Sequence, residues 1–450
     1  MALLLGRGDT SEDVRLGQDH DSREALLELL AMHMVVENVG SVSESDCVAI
    51  LDSSLKSMGW PDSPTNILEN LTQRRVLKKN NGQVLFARAS YLHYFAAKRA
   101  VKDTELLDYL LEKPLYFSSI ITDYASLKRY DAELLRTINR HLDRTDWEEL
   151  NNPIFEALPK LQGESPEALL ISPPTKSNRH YSKDRELLQA RSFDLSNDED
   201  DSNEPFPILE EKSVPRGITL MRLMSLVSNV LRDSYEITDR SLKTEVFENV
   251  LTHWGIMTGT VHADPSFRDF ITYLTRQLLA ESDKKVTQER HEEVVDMFLK
   301  VFPAAFALSG VTHELSTAKL SLAFDELLQN KVLISDTNFS IGAAFFAYSI
   351  RPADWVSKLR LLLINHCDSW VVRHFFLNIL VKDENLETLE ESEWQELSQL
   401  CIDLIQKSTS YESNASRRTH YDDLLNTLRK RRIVAKVRNH HSDLPKRHAE

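Results

Sequence analysis

Eight basic side chains and no acidic one lie between Leu71 and Lys102: Arg74, Arg75, Lys78, Lys79, Arg88, Lys98, Arg99 and Lys102. Clustered cations can neutralise phosphates, whether on nucleic acid or on a nucleotide. The chain has 450 residues and a formal net charge of −15, so with these eight positive charges set aside the remainder carries −23. An acidic total argues against nucleic-acid binding over the whole surface and confines attention to local patches. A second basic run, Arg429, Lys430, Arg431 and Arg432, begins the C-terminal stretch and is followed by Lys436, Arg438, Lys446 and Arg447. Cations at the end of a helix meet the negative end of its dipole, which is the simplest account of that run.

The familiar catalytic patterns do not occur. There is no GxxxxGK[ST] or GxGxxG, so no glycine-rich loop is present to wrap a phosphate. His291-Glu292-Glu293 and His313-Glu314 lack a second histidine four residues on, so two imidazoles cannot meet on one helix face. No GxSxG elbow supplies an activated serine. His366 and Cys367 are adjacent, but sequence neighbours on a helix point in different directions. The expectation is a chain with no catalytic or metal site and no cofactor of its own.

The elements that must position the cations can be read from the pattern. The chain has only 12 glycines and 15 prolines, below the usual roughly 7% and 5%, which favours helix. A first helix opens near Asp21 with Glu24 as a capping-box partner and Leu26, Leu27, Leu30 and Met34 on its apolar face. A second has Ser43 as cap, Val48, Leu51, Leu55 and Met58 on one face, and Gly59 as stop. A third has Ser63 before Pro64, then Ile67, Leu68 and Leu71. Val76-Leu77 and Val84-Leu85-Phe86 then read as two strands joined through Asn80-Asn81-Gly82. An aromatic helix carrying Tyr91, His93, Tyr94 and Phe95 follows. Three helices, a strand, a wing, a strand and a helix is the order of a winged helix.

The expected class is mainly α, a winged-helix domain followed by an α-helical bundle and an irregular, solenoid-like helical region. Its divisions are a disordered lead at 1–20, the winged-helix domain at 21–103, a helical extension at 104–158, a flexible linker at 159–216, a repeat-like domain at 217–428 and a basic tail at 429–450. The linker is marked by seven prolines and the acidic run Asp198-Glu199-Asp200-Asp201. Beyond it, spacings such as Leu220, Leu223, Met224, Val227, Val230 and Leu231 keep a helical period without a strict repeat. Cys47, Cys367 and Cys401 are widely spaced, the pattern of a reducing compartment. The longest apolar stretch, near Phe339–Ile350, is too short to span a bilayer. Cytoplasmic residence and no membrane partner are the resulting expectations.

The run from Val84 to Ala100 resembles the winged helix of the STAND class of NTPases, the NACHT-like signalling ATPases. The residues carrying it are Phe86, Arg88, Tyr91, Tyr94, Phe95, Ala96 and Ala97. Pro114–Leu135 and Leu220–Asp233 also resemble the helical region after that module in bacterial members, so the likeness covers about Asp21 to Val250. In that family a histidine shortly after the phenylalanine senses nucleotide phosphate; here Arg88 stands nearest, and arginine can also meet a phosphate. The P-loop domain that precedes the winged helix in the family is not in this sequence. The resemblance therefore implies a fragment, a degenerated product, or half of a split system with ATP or ADP held by a partner in trans. It implies a non-catalytic sensor portion of a signalling switch, such as those of bacterial antiphage defence, working through protein contacts. A DNA-binding regulator using Gln73, Arg74, Arg75, Lys78 and Lys79, and a helical scaffold without a nucleotide connection, are the alternatives left open by the residues.

Overall fold

The computed structural model describes residues 20–143, 161–162, 216–263, 269, 272–273 and 288–442. The expected lead at 1–19 and nearly all of the expected linker lie outside these residues. The described chain is mainly helical. It forms two compact units, the first built on residues 20–138 with 216–226 and 236–238, and the second on 139–143, 161–162, 227–235, 239–263 and 288–442.

The first unit begins with α1 (His20–Val36), whose Leu26, Leu27, Leu30 and Met34 are buried as the spacing predicts. A short strand β1 (Val42–Ser43) follows, then α2 (Glu44–Met58) and α3 (Pro64–Gln73). Ser43 caps α2 by accepting from the Asp46 N–H at 3.1 Å, and Gly59 closes it in the left-handed region. The hairpin is β2 (Leu77–Asn80) and β3 (Gln83–Phe86), paired antiparallel from Leu77↔Phe86 to Asn80↔Gln83. Its turn is Asn81-Gly82, with φ of 50° and 76°, a pair of left-handed residues that suits the twist of a two-residue hairpin. Both strands are longer toward the turn than the apolar run suggests, because the ladder extends through Lys78–Asn80 with polar side chains outward.

The strand β1 was not anticipated. It pairs with β3 through Val42↔Val84 and Ser43↔Gln83, giving a sheet of order β1-β3-β2. Two residues are too few to show a period, so the sequence carries no sign of it. The hairpin leads into α4 (Ala89–Ala100), with Leu92, Phe95, Ala96 and Ala97 buried. The aromatic helix is thus a packing element: Phe95 lies 6.0 Å from Phe86, ring centre to ring centre. Three helices complete the run: α5 (Thr104–Glu112), α6 (Ser118–Leu127) and α7 (Ala132–Asp143), the last reaching into the second unit. At the turn between α6 and α7, Asp131 accepts from the buried Tyr124 hydroxyl at 2.6 Å, from the Leu134 N–H at 3.0 Å and pairs with Lys128 at 3.2 Å.

The second unit is organised on α9 (Arg240–Ala263), which follows α8 (Arg216–Asp233), and on the later helix α13 (Thr337–Ile350). Between them come α10 (Gln288–Gly310), a π-helical turn Val311–Leu315, α11 (Ser321–Leu327) and α12 (Lys331–Ser335). Every residue from Phe339 to Ala347 is buried, as expected of a helix apolar on all sides and enclosed by others. Phe339–Ala347 therefore lies at the centre of this unit's core, and no helix among the described residues is long and apolar enough to cross a membrane. Phe247 packs 4.8 Å from Phe346, and Phe345 stacks on Phe376 at 5.3 Å.

The close approach of α9 and α13 depends on two glycines. A Cβ on Gly342 would overlap the carbonyl oxygen of Leu251, and one on Gly255 would overlap that of Asn338. After α13 come α14 (Trp355–Leu363), a π-helical turn Val371–Phe376, α15 (Leu377–Leu380), α16 (Asp383–Thr388), α17 (Glu391–Ser408), β5 (Thr409–Ser410) and α18 (Asn414–Ser442). Val371–Phe376 is thus π-helical and passes directly into the α-helical Leu377–Leu380. The strand β4 (Leu161–Gln162) pairs parallel with β5. α18 runs unbroken through the point where the basic tail was expected to begin.

Gly342→Ala will force α9 and α13 apart and lower unfolding free energy by about 2–3 kcal/mol, the range of an overpacked core. Urea unfolding followed by far-UV circular dichroism measures it. A midpoint within error of the parent would mean that the helices do not approach as described. Asp131→Asn will cost about 1–2 kcal/mol at neutral pH by weakening a charge-assisted network. Burial pushes the Asp131 carboxyl up, but the bonds from Tyr124, Leu134 and Lys128 outweigh this and hold it below its ordinary value. Its stabilisation is thus present above the unfolded carboxylate pKa and is lost as pH falls through the lower folded one. The difference between parent and variant must accordingly shrink below about pH 4; a gap that widens there contradicts the assignment.

Candidate functional site

The eight cations of the Leu71–Lys102 window do not form one open surface. Lys98 and Lys102 lie four residues apart, and so do Glu24 and Glu28 on α1. The match of spacings makes two rungs one helical turn apart, Lys98 to Glu24 and Lys102 to Glu28, the second at 2.9 Å. The side chain of Glu28 is only 2% exposed. A carboxylate so deeply buried needs a cation, because leaving it unpaired costs several kcal/mol. Burial alone would push the Lys98 ammonium down, but its bond to Glu24 and the neighbouring negative groups hold it above its ordinary value. Glu24 is therefore the counter-ion of Lys98. α1 begins at His20, one residue before the expected opening at Asp21.

Two more cations are also paired locally. Arg99 bonds Asp103 at 3.0 Å, and Asp103 at the same time caps α5 by accepting from the Leu106 N–H. Lys79, on the hairpin, reaches Glu44 at the start of α2 at 2.6 Å. Arg74 donates through Nε to the Asn70 side-chain oxygen at 3.0 Å. That leaves Arg75, Lys78 and Arg88 as the cations of the window to examine further.

Arg75 and Arg88 come together at the base of the hairpin. The Ala87 N–H donates to the Val76 carbonyl at 2.9 Å, so the residues flanking that bond, Arg75 and Arg88, are brought beside each other in the backbone. Arg75 sits just past α3 with φ of 58°. The Val76 N–H donates to Leu71 and the Arg75 N–H to Thr72, the two bonds of a helix stop whose left-handed position normally holds glycine. The arginine there was not foreseeable as a stop residue. Arg88 is the exposed N-cap residue of α4, extended at φ −138°, with no side-chain cap bond. Lys78 is half-buried and stands opposite Leu85 in the ladder; neither it nor Arg75 makes an ion pair among the described residues.

The outward face of α3 bears on groove reading. Its exposed side chains are Thr65, Asn66, Glu69 and Gln73, with no cation among them. A helix reading base edges depends on such positions, and phosphate contacts need cations around them. The cations begin only after the helix, at Arg74.

The C-terminal basic run also divides. Arg429 and Lys430 are exposed and Arg431 is half-buried. Arg432 is buried, bonding Glu391 at 2.7 Å and the Leu389 carbonyl at 3.1 Å, and lying 5.0 Å over the Trp394 ring. It ties α18 to the start of α17 and is a structural residue, which corrects its inclusion in a solvated basic tail.

The remaining reactive groups are occupied structurally. All three cysteines are buried and free, and burial pushes the thiols of Cys47 and Cys401 up to about 12. The ring nitrogens of His366 meet the Thr337 hydroxyl and the Ile334 carbonyl, each at 3.0 Å, and so serve α12 and α13. No group of three potential metal ligands converges among the described residues. No protein-family model, curated protein or solved structure matches this chain.

Arg75→Gly will raise stability by about 0.5–1 kcal/mol, since glycine adopts the left-handed stop without a Cβ penalty. Chemical denaturation tests this directly. A loss of stability would show that the arginine side chain itself supports the fold.

Proposed function

We propose that this chain is the non-catalytic regulatory and sensor portion of a STAND-type signalling ATPase, of the kind used in bacterial antiphage defence, acting through protein contacts. The order α1-β1-α2-α3-β2-β3-α4 with a β1-β3-β2 sheet supports reading the first module as a winged helix. The second unit, helical throughout except for single short strands, supports an irregular helical-repeat role. The observation carrying the reading is the placement of Arg75 and Arg88 together at the hairpin base, while Lys98 and Lys102 are committed to buried carboxylates. A small cationic point of this sort suits one phosphate group better than a nucleic-acid backbone, which calls for a broad field.

In this reading a partner polypeptide holds ATP or ADP, and Arg88 approaches its phosphates at the start of α4. The helical second unit recognises a protein trigger, and its binding shifts a closed and open equilibrium by the difference in its affinity for the two states. The gene immediately upstream is expected to encode a P-loop ATPase core; an unrelated neighbour would weaken the reading.

Two measurements bear on it. Arg88→Glu will speed nucleotide release from the assembled complex, and an unchanged off-rate removes Arg88 from the mechanism. Duplex DNA is expected to show no salt-sensitive gel shift with the chain alone. A shift that weakens steeply between low and high salt would favour a DNA-binding regulator instead.

A further inference from the structure

The last part of α18 presents a second face that nothing described covers. Its inner face is Leu424, Leu428, Arg432 and Ala435, all buried. With 3.6 residues per turn, Ile433 and Val437 fall on the opposite side, with Lys430 next to Val437 on the side toward Val434. Ile433, Val434 and Val437 are 62%, 48% and 51% exposed. Arg429, Lys430 and Lys436 are exposed beside them, and from Leu424 to Ser442 the chain has no acidic residue. Arg429 and Lys430 form no ion pair among the described residues. Glu391, whose carboxyl is held low by Arg432 and to a lesser degree by Lys436, is already bonded to Arg432.

We propose that this face of α18 rests on an anionic phospholipid surface. Ile433, Val434 and Val437 enter the headgroup boundary, and Arg429, Lys430 and Lys436 meet lipid phosphates. Long basic side chains suit this arrangement, since their stems lie along apolar surface while the charged heads reach upward. Charge complementarity selects the occupant. A second copy of the same face would set like charges against each other. Nucleic acid would use the cations but would press phosphates onto the aliphatic strip, and no Phe, Tyr or Trp occurs from Leu424 to Ser442 to stack on a base. The expectation of no membrane partner rested on the lack of a span, and a span is not needed for a helix lying in the interface.

The test is flotation of the full chain with vesicles of mixed phosphatidylglycerol and phosphatidylcholine, and with phosphatidylcholine alone, at low and high salt. The chain should float with the anionic vesicles, less so at high salt, and stay behind with the neutral ones. Ile433→Asn with Val437→Asn, and separately Lys430→Gln with Lys436→Gln, should each weaken flotation at least about tenfold. All four side chains are exposed, so melting curves should match the parent. Failure to float with anionic vesicles, equal flotation with neutral ones, or undiminished flotation of the Ile433/Val437 variant overturns the proposal. Competition by duplex DNA that the Ile433/Val437 variant still binds would assign the face to nucleic acid.

Discussion

A carboxylate that is almost wholly buried must have a cation, and in the first unit this requirement decides what the basic segment can do. Exposed ion pairs contribute between nothing and about 1 kcal/mol, so most surface charges remain available to other partners. The rungs between α1 and α4 are different. Glu28 has almost no solvent to fall back on, and Lys102, though half-exposed, donates to both of its carboxylate oxygens at 2.9 Å. Pulling Lys102 onto a phosphate would strand that carboxylate, at a cost of several kcal/mol that a single phosphate contact does not repay. Lys98 is bound in the same way to Glu24. The charge count of the segment thus overstates its capacity for nucleic acid. Part of what reads as a cationic surface in one dimension is, in three, a paired seam between two helices.

The second unit depends on a different constraint, the backbone approach of α9 and α13 at Gly255 and Gly342. Helices can come this close only where a Cβ is missing on one side, and each helix supplies one such position against the other's backbone. The close crossing brings Phe247 into contact with Phe324 and Phe346, while Phe345 on the far side of α13 meets Phe375 and Phe376. α13 is thereby enclosed by aromatic side chains on both sides. Phe375 and Phe376 belong to a π-helical turn, where one extra residue per turn re-aims side chains that a regular helix would direct elsewhere.

Local chemistry made much of the first unit legible. Ser43, Gly59, Pro64 and Asn81-Gly82 each fix a helix end or a turn through their own backbone preferences, and the structure places them in those roles. The three cysteines and the apolar Phe339–Ile350 stretch are likewise buried where composition puts them. What could not be read depends on partners distant in sequence. The spacing around Glu24 gives no sign of Lys98, seventy-four residues on, with which it pairs. Arg432 lies in a run of four identical charges, and only the position of Glu391 and Trp394 distinguishes it from its neighbours. The π-helical turn Val371–Phe376 has no periodic signature, because apolar residues occupy most positions around it.

Two local preferences are broken at one place in the first unit, and that coincidence bears on function. Arg75 occupies a left-handed position at the helix stop, which costs roughly 1 kcal/mol relative to glycine. Arg88 begins α4, where the helix dipole and the unpaired N–H groups favour a negative group over a positive one. Each departure alone is minor. Together they set two cations against the preferences of their own backbone, on either side of the single bond from Ala87 to Val76. A helix N-terminus with an arginine at its N-cap favours an anionic group over a cationic one there. Conflicts of local preference in an otherwise consistent fold are where binding sites are expected. An anion there would offset the placement of Arg88 at the helix start but not the backbone cost at Arg75, whereas the lysines at the α1–α4 seam already have carboxylate partners.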